Sequence, residues 1–344
     1  MNVSTRPTRL LAAAIAVLAV PAAVLAAPTN AIADKPPDKH TTVEVYDSFQ
    51  KPGGYTLADY AAKWATIYGP GEMANDDTRS FAGNSFHVSA VPFTQAADFS
   101  VFDHLKYIAV STKSWPVPAR GSVEFGSTIR AVTPGTEPGR VVHGTYTLSG
   151  APYAAATLEG QQAGAVMNVI DFSTGQLFDW FVSGSTAFAL IERLPSTVTG
   201  NTTDPDSPEY VGLDQAYTQI IREIPASSGP HEVTIRYSRA DGGTADYSFD
   251  GRPVAHVEDV GVPLDVQGQD YTGIYPSLGA GEVLGDQIDS LVIGHGLFSL
   301  LDAFPFQHPE APELAVSIPL SERLFGQGAD ATFDDFRVKT VTTR

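Results

Sequence analysis

Beyond residue 41 the chain alternates apolar and polar positions in short runs, and Gly, Pro, Asp and Ser divide one run from the next. A two-residue period marks strands buried on one face. It predicts strands over 43–49, 85–90, 106–110, 122–131, 141–148, 165–172, 177–182 and 187–194. Further strands are predicted over 232–237, 245–249, part of 291–301, 314–318 and 332–338. The strand from His231 to Tyr237 leads into a hairpin ending at Asp250-Gly251. In the closing strand, strict alternation would set Phe333, Asp335 and Arg337 against Asp334, Phe336 and Val338. Helical periodicity is sparse: 57–64, with Tyr60 and Trp64 on one face, and 214–223, with Ala216, Ile220 and Ile221 as a partial stripe. Many short strands separated by turn residues imply an all-β sandwich or barrel. The proline-bearing 195–208 reads as a surface loop, and the glycine-rich 263–289 as an excursion over the sandwich rather than a domain boundary.

The N-terminal stretch breaks this pattern. Arg6 and Arg9 precede an apolar run from Leu10 to Ala27 that ends in small residues, as a cleaved export signal does. The expected organisation is therefore a signal peptide at 1–27, a disordered lead-in at 28–41, and a single β-sandwich domain at 42–344, placing the mature chain outside the cell. The chain has no cysteine, so core packing must hold it together, with a bound cation as the other available staple. Its 39 acidic residues outweigh 21 basic ones, for a formal charge of −18. Loss of Arg6 and Arg9 would make the mature chain more negative still. Such a surface repels nucleic acid and anionic lipid, and no later segment reads as a membrane span once the signal is removed. Nothing in the sequence sets the oligomeric state.

The segments Gly229-Pro-His231 through Tyr237, Tyr247-Ser-Phe-Asp-Gly251, Phe325-Gly-Gln-Gly328 and Phe333-Asp-Asp-Phe-Arg-Val338 resemble the concanavalin A-like lectin/glucanase jelly rolls. More narrowly, the chain resembles an uncharacterised family of exported actinobacterial proteins of that fold. The resemblance implies two large antiparallel sheets, one with a concave face that forms a groove. It also implies glycan binding or cleavage, often with a structural calcium, although some members are inert modules. Laminarinase-like glucanases of this fold carry a Glu-x-Asp-x-x-Glu strand. Here the nearest acidic strand segment is Val123-Glu124-Phe125, with Gly126 and Thr128 where further acids would stand.

Glycoside cleavage needs two carboxyl groups at a defined separation, and four acids are candidates. Glu124 shares the polar face of its strand with Arg130, with Gly126 leaving room between them, so this face reads either as a groove floor or as an ordinary solvated strand. Asp171, Asp179 and Glu192 stand among apolar and aromatic neighbours, where burial would raise a carboxyl pKa toward that of a general acid. Strand ends that meet solvent or pair with other side chains would account for the same residues. His87 and His104 flank an acidic, aromatic segment and are candidate bases. His231 reads as structural, and His295, between two glycines, as accessible. Ligand contacts are expected from Trp64, Trp115 and Tyr68, with Trp115 as an exposed platform beside Pro116 and Tyr68 on a rim near Trp64. Trp180 is a further candidate, with core packing as its competing role. Oxygen-rich loops at 75–78 and 204–206, and Asp334 with Asp335, could bind calcium. The leading expectation is a secreted protein that engages carbohydrate, with hydrolysis possible. The alternatives are an enzyme enclosing a cyclic small molecule in an aromatic pocket and a non-catalytic cell-surface binding module.

Overall fold

The computed structural model describes residues 38–66, 77–94, 104–275, 277–302, 313 and 315–343. They form an all-β jelly-roll sandwich in which every strand pairing is antiparallel. The first sheet runs β16 (Arg252–Val257), β15 (Thr244–Phe249), β14 (His231–Ser238), β7 (Gly121–Val132), β19 (Ala329–Thr343), β4 (Ser85–Ala90) and β3 (Thr78–Ala82). Strand β1 (Lys39–Asp47) also pairs with β19 and begins before Thr41, inside the expected lead-in. The second sheet runs β13 (Tyr217–Pro225), β12 (Thr186–Arg193), β11 (Gln176–Val182), β10 (Gly164–Asp171), β17 (Ser290–Phe298), β5 (Leu105–Ser111) and β2 (Trp64–Thr66), with β6 (Trp115–Pro116) against β17. A small third sheet comprises β18 (Val316–Ser317), β8 (Val141–Tyr146) and β9 (Pro152–Ala156).

Burial separates the two large sheets. In the first, β4, β14 and β15 alternate buried and partly exposed residues, so one face packs inward and the other meets water. In the second, β10 and β11 are buried along their whole length. One face of it, with Met167, Phe178, Trp180 and Ile293, joins Phe125, Ile235, Tyr247 and Phe333 of the first sheet in the main core. The other face, with Val166, Ile170, Leu177, Phe181 and Leu190, packs beneath Val142, Tyr275, Val316 and Ile318. Trp180 ties the sheets across the core, its indole N–H donating to the carbonyl of Thr234 at 3.1 Å.

Two expectations change. The stretch 214–223 is no helix: Tyr217–Pro225 is an edge strand, because its aromatic and β-branched residues pack on the pleated sheet beside β12. In β19 the alternation slips. Asp335 has φ of 52°, and the register shifts between Asp334 and Arg337. This bulge adds a residue, so Phe333, Phe336 and Val338 all turn into the core. The helix expected at 57–64 is present as α1 (Leu57–Lys63), with Thr56 and Asp59 capping its first turn. At the hairpin between β15 and β16, Asp250 and Gly251 have φ of 49° and 71°. Two successive positive angles suit a tight two-residue turn, and glycine accepts one without strain.

Candidate active site

The acids that stood out in apolar runs divide according to strand phase. In β11, Phe178, Trp180 and Val182 enter the main core, so Asp179 points to the opposite face with Leu177 and Phe181. In β12, Ala187, Ala189 and Ile191 enter the main core, which leaves Phe188, Leu190 and Glu192 on that same outer face. Asp179 lies opposite Leu190, and Leu177 opposite Glu192. The two acids are therefore diagonal neighbours on one face, a step of roughly 7–8 Å between backbones that long side chains span. Asn168 of β10 lies directly across from Asp179, and Thr218 of β13 directly across from Glu192. The Asn168 amide donates to Asp179 Oδ1 at 2.7 Å, and the Thr218 hydroxyl to Glu192 Oε2 at 3.0 Å. Asn168 Oδ1 is buried without a hydrogen-bond partner.

Burial pushes the Asp179 carboxyl well above the ordinary range, the Glu192 charge adds to the rise, and the Asn168 hydrogen bond offsets part of it. Burial lifts Glu192 to about 7, partly opposed by Thr218. Among the described residues no Lys, Arg or His pairs with either acid. Two carboxylates this close in an apolar setting resist ionising together, so at neutral pH the pair retains a proton. One member can donate a proton while the other accepts one. Asp179 is buried, whereas Glu192 keeps partial exposure.

The other candidates lie elsewhere. Asp171 accepts from Ser173 N and Oγ at 3.1 and 2.7 Å and from Thr174 Oγ1 at 2.8 Å, which fixes the turn between β10 and β11. Glu124 is on the outer face of the first sheet, 3.3 Å from Lys339 Nζ. Arg130 is half-buried on that sheet too, so neither belongs to the Asp179–Glu192 group. His87 Nε2 lies 2.9 Å from Asp330 Oδ2 in the first sheet. His104 precedes β5 of the second sheet and sits edge-on to Phe298. Burial, helped by Lys106, lowers its pKa to about 3, so the two histidines form no joint site.

The aromatic platforms need correction. Trp115 is buried rather than exposed: β6 pairs it into the second sheet against Tyr46 and Phe125, and its N–H donates to Glu44 at 3.0 Å. Trp64 is buried and donates to Asp47 at 2.9 Å. Trp180 is buried as described above. Tyr68 lies outside the described residues. His295 is not accessible either. Trp64, Phe86 and Phe336 enclose it, Nε2 meets Tyr60 Oη at 2.7 Å, and burial lowers its pKa to about 3. The proposed calcium ligands are engaged separately: Asn84 donates to Asp334, Asp335 pairs with Arg337, and Asp204 accepts from Asp206 N. In loop 75–78, Asn75 and Asp76 lie outside the described residues, and Asp77 pairs with Arg79. Among those described, no three His, Asp or Glu side chains gather as a cation site. Sequence reasoning missed Asn168 and Thr218. The available signal was a lone amide inside the apolar run from Val166 to Ile170, in register with an acid.

Residues 46–342 match the family of unknown function DUF6081, and the chain belongs to that family. No curated protein matches it. Among solved structures, it is similar to an endo-1,3-β-glucanase from Streptomyces sioyaensis at 11% identity and a TM-score of 0.41, covering 91% of this chain and 100% of that one. It is similar to β-agarase B from Zobellia galactanivorans at 11% identity and a TM-score of 0.44, covering 90% and 96% respectively. It is also similar to an alginate lyase from Pseudomonas aeruginosa at 13% identity and a TM-score of 0.32, covering 77% and 86%.

Proposed function

We propose that this member of the DUF6081 family is a secreted glycan-processing enzyme in which Asp179 and Glu192 serve as the acid–base pair. The supporting observation is the placement of two pKa-raised carboxyl groups, with polar neighbours, on one sheet face. In this reading Glu192, which keeps some exposure and titrates near neutrality, ionises first and serves as the base. The buried Asp179, held further above the ordinary range, keeps the proton that it delivers to the glycosidic oxygen, while Asn168 and Thr218 keep the two carboxyl groups facing the same side. Protonated Asp179 and ionised Glu192 provide donor and acceptor together, the division of labour that glycoside cleavage requires. The N-terminal apolar run supports export.

A second reading draws on the rings of the same face. Phe181 stacks on Phe188 at 4.6 Å and meets Phe298 edge-on at 5.8 Å, a setting suited to a small cyclic compound rather than a polymer. The deciding experiment incubates the mature protein with plant, fungal and bacterial polysaccharides and measures released saccharides by mass spectrometry. Release that disappears in Glu192→Gln and Asp179→Asn, with both variants folded, supports the glycan reading. Release undiminished in both variants removes the pair from catalysis. No release beside an active control enzyme turns the assignment toward the small-molecule reading.

A further inference from the structure

Strands β13 and β16 are the edge strands of the second and first sheets, and a cleft runs between them. One part, of about 770 Å³, is lined by Ile221, Arg222, Gln269, Tyr271 and Thr272 among others. The adjoining part, of about 620 Å³, is lined by Arg222, Ser227, Phe249, Asp250 and Arg252. Arg222 and Val254 belong to both parts, so the two are continuous. Glu192 lines neither.

The cleft differs in charge from its surroundings. In a chain of net charge −18, several arginines are engaged, Arg193 with Glu282, Arg236 with Asp246, and Arg239 with Asp289, while Arg120 and Arg130 make no ion pair among the described residues but line no part of the cleft. The exposed side chains of Arg222 and Arg252 make no ion pair or hydrogen bond among the described residues, yet both line the smaller part. The acid beside them is already occupied, since Asp250 Oδ2 meets His231 Nδ1 at 2.8 Å and its Oδ1 accepts from Glu232 N at 3.0 Å. The larger part has the opposite character. It contains Glu223 and Asp270, along with the amide of Gln269 and the half-buried ring of Tyr271.

We propose that this edge cleft is a binding site for a saccharide carrying an oxyanion, either a carboxylate or a sulfate ester. The anion lies between Arg222 and Arg252, whose planar guanidinium forks match such groups in two-point contacts. The adjacent uncharged ring extends into the larger part, where Glu223 and Asp270 repel a second anion and Tyr271 offers an apolar face. The selectivity is for one charged unit followed by a neutral one.

The test is calorimetric titration of the mature protein with three disaccharides: one uronate unit joined to a neutral glucose, one singly sulfated glucose joined to a neutral glucose, and neutral maltose. Binding of at least one acidic probe, with the neutral one failing, is expected. The double variant R222A/R252A should weaken it at least tenfold with an unchanged melting temperature, since both side chains are exposed. Preference between the acidic probes identifies the anion. Equal affinity in R222A/R252A, equal binding of the neutral probe, or no binding of either acidic probe at millimolar concentration overturns the proposal. Glu192→Gln should leave the affinity unchanged, and a parallel loss in that variant would move the saccharide to the other face and likewise overturn it.

Discussion

The outer faces of the two large sheets treat the same residue type in opposite ways. On the first sheet, acids meet cations in water: Glu124 lies near Lys339, Asp246 near Arg236, and Glu232 near Arg337. On the second, Asp179 and Glu192 have an amide and a hydroxyl for company and lie under apolar cover. Both faces come from alternating strands, so what covers the face decides whether a carboxyl is an ordinary ion or a proton carrier. Surface pairs contribute little to stability, whereas buried acids cost stability and gain reactivity.

The largest expected effect separates the faces by activity. Glu192→Gln should lower turnover by about 10²–10⁴-fold, the usual worth of a positioned base, whereas Glu124→Gln should leave it unaltered; equal losses in initial-rate assays would break the comparison. The same Glu192 substitution should stabilise the fold. With its pKa raised from 4.5 to about 7, Glu192 is protonated in both states below 4.5 and costs nothing there. Between pH 4.5 and 7 the unfolded state ionises while the folded state does not, so stability falls across that window, by on the order of 3 kcal/mol, and levels off above 7. Urea titrations should show Glu192→Gln more stable than the wild type at pH 8 and nearly equal to it at pH 4. His295 sharpens the opposite limb. Its folded pKa of about 3 lies below the ordinary 6.5, so its contribution is intact above 6.5 and erodes as pH falls toward 3, by about 1.4 kcal/mol per pH unit. That limb should persist in Glu192→Gln. Asp171→Ala should cost about 1 kcal/mol through the loosened turn, read from the same titrations. Lys339→Ala, which leaves Glu124 in water, should cost less than about 1 kcal/mol.

The sequence made the first sheet easier to read than the second. The run from Ser122 to Ala131 alternates cleanly, and Val123, Phe125 and Ile129 are buried as that pattern requires. The closing strand defeated simple alternation because one residue at a positive φ inverts the phase, and Asp335 carries no signature that distinguishes it from Asp334. At 214–223 an edge strand imitates a helical stripe, since Ala216, Ile220 and Ile221 fit either period. The tryptophans misled for a different reason. Trp115, between Ser114 and Pro116, has the local character of a loop, and only its pairing with Leu291, far away in the chain, buries it. The acids Asp179 and Glu192 were visible as charges in apolar runs, but their partnership required the register between β11 and β12. The edge cleft could not be anticipated, because Arg222 and Arg252 meet only through the edges of two different sheets.

Strand β19 lies in the middle of the first sheet, touching β7, β4 and β1, yet it follows every other described strand in sequence. Its partners wait through some two hundred intervening residues or more before the neighbour they need has been synthesised. Contacts of such long sequence separation make folding slow. A nascent chain lacking β19 has the exposed edges of an unfinished sheet, which are prone to aggregate. Assembly of the first sheet must therefore wait until β19 has been made, and until then its earlier strands stay open to rearrangement.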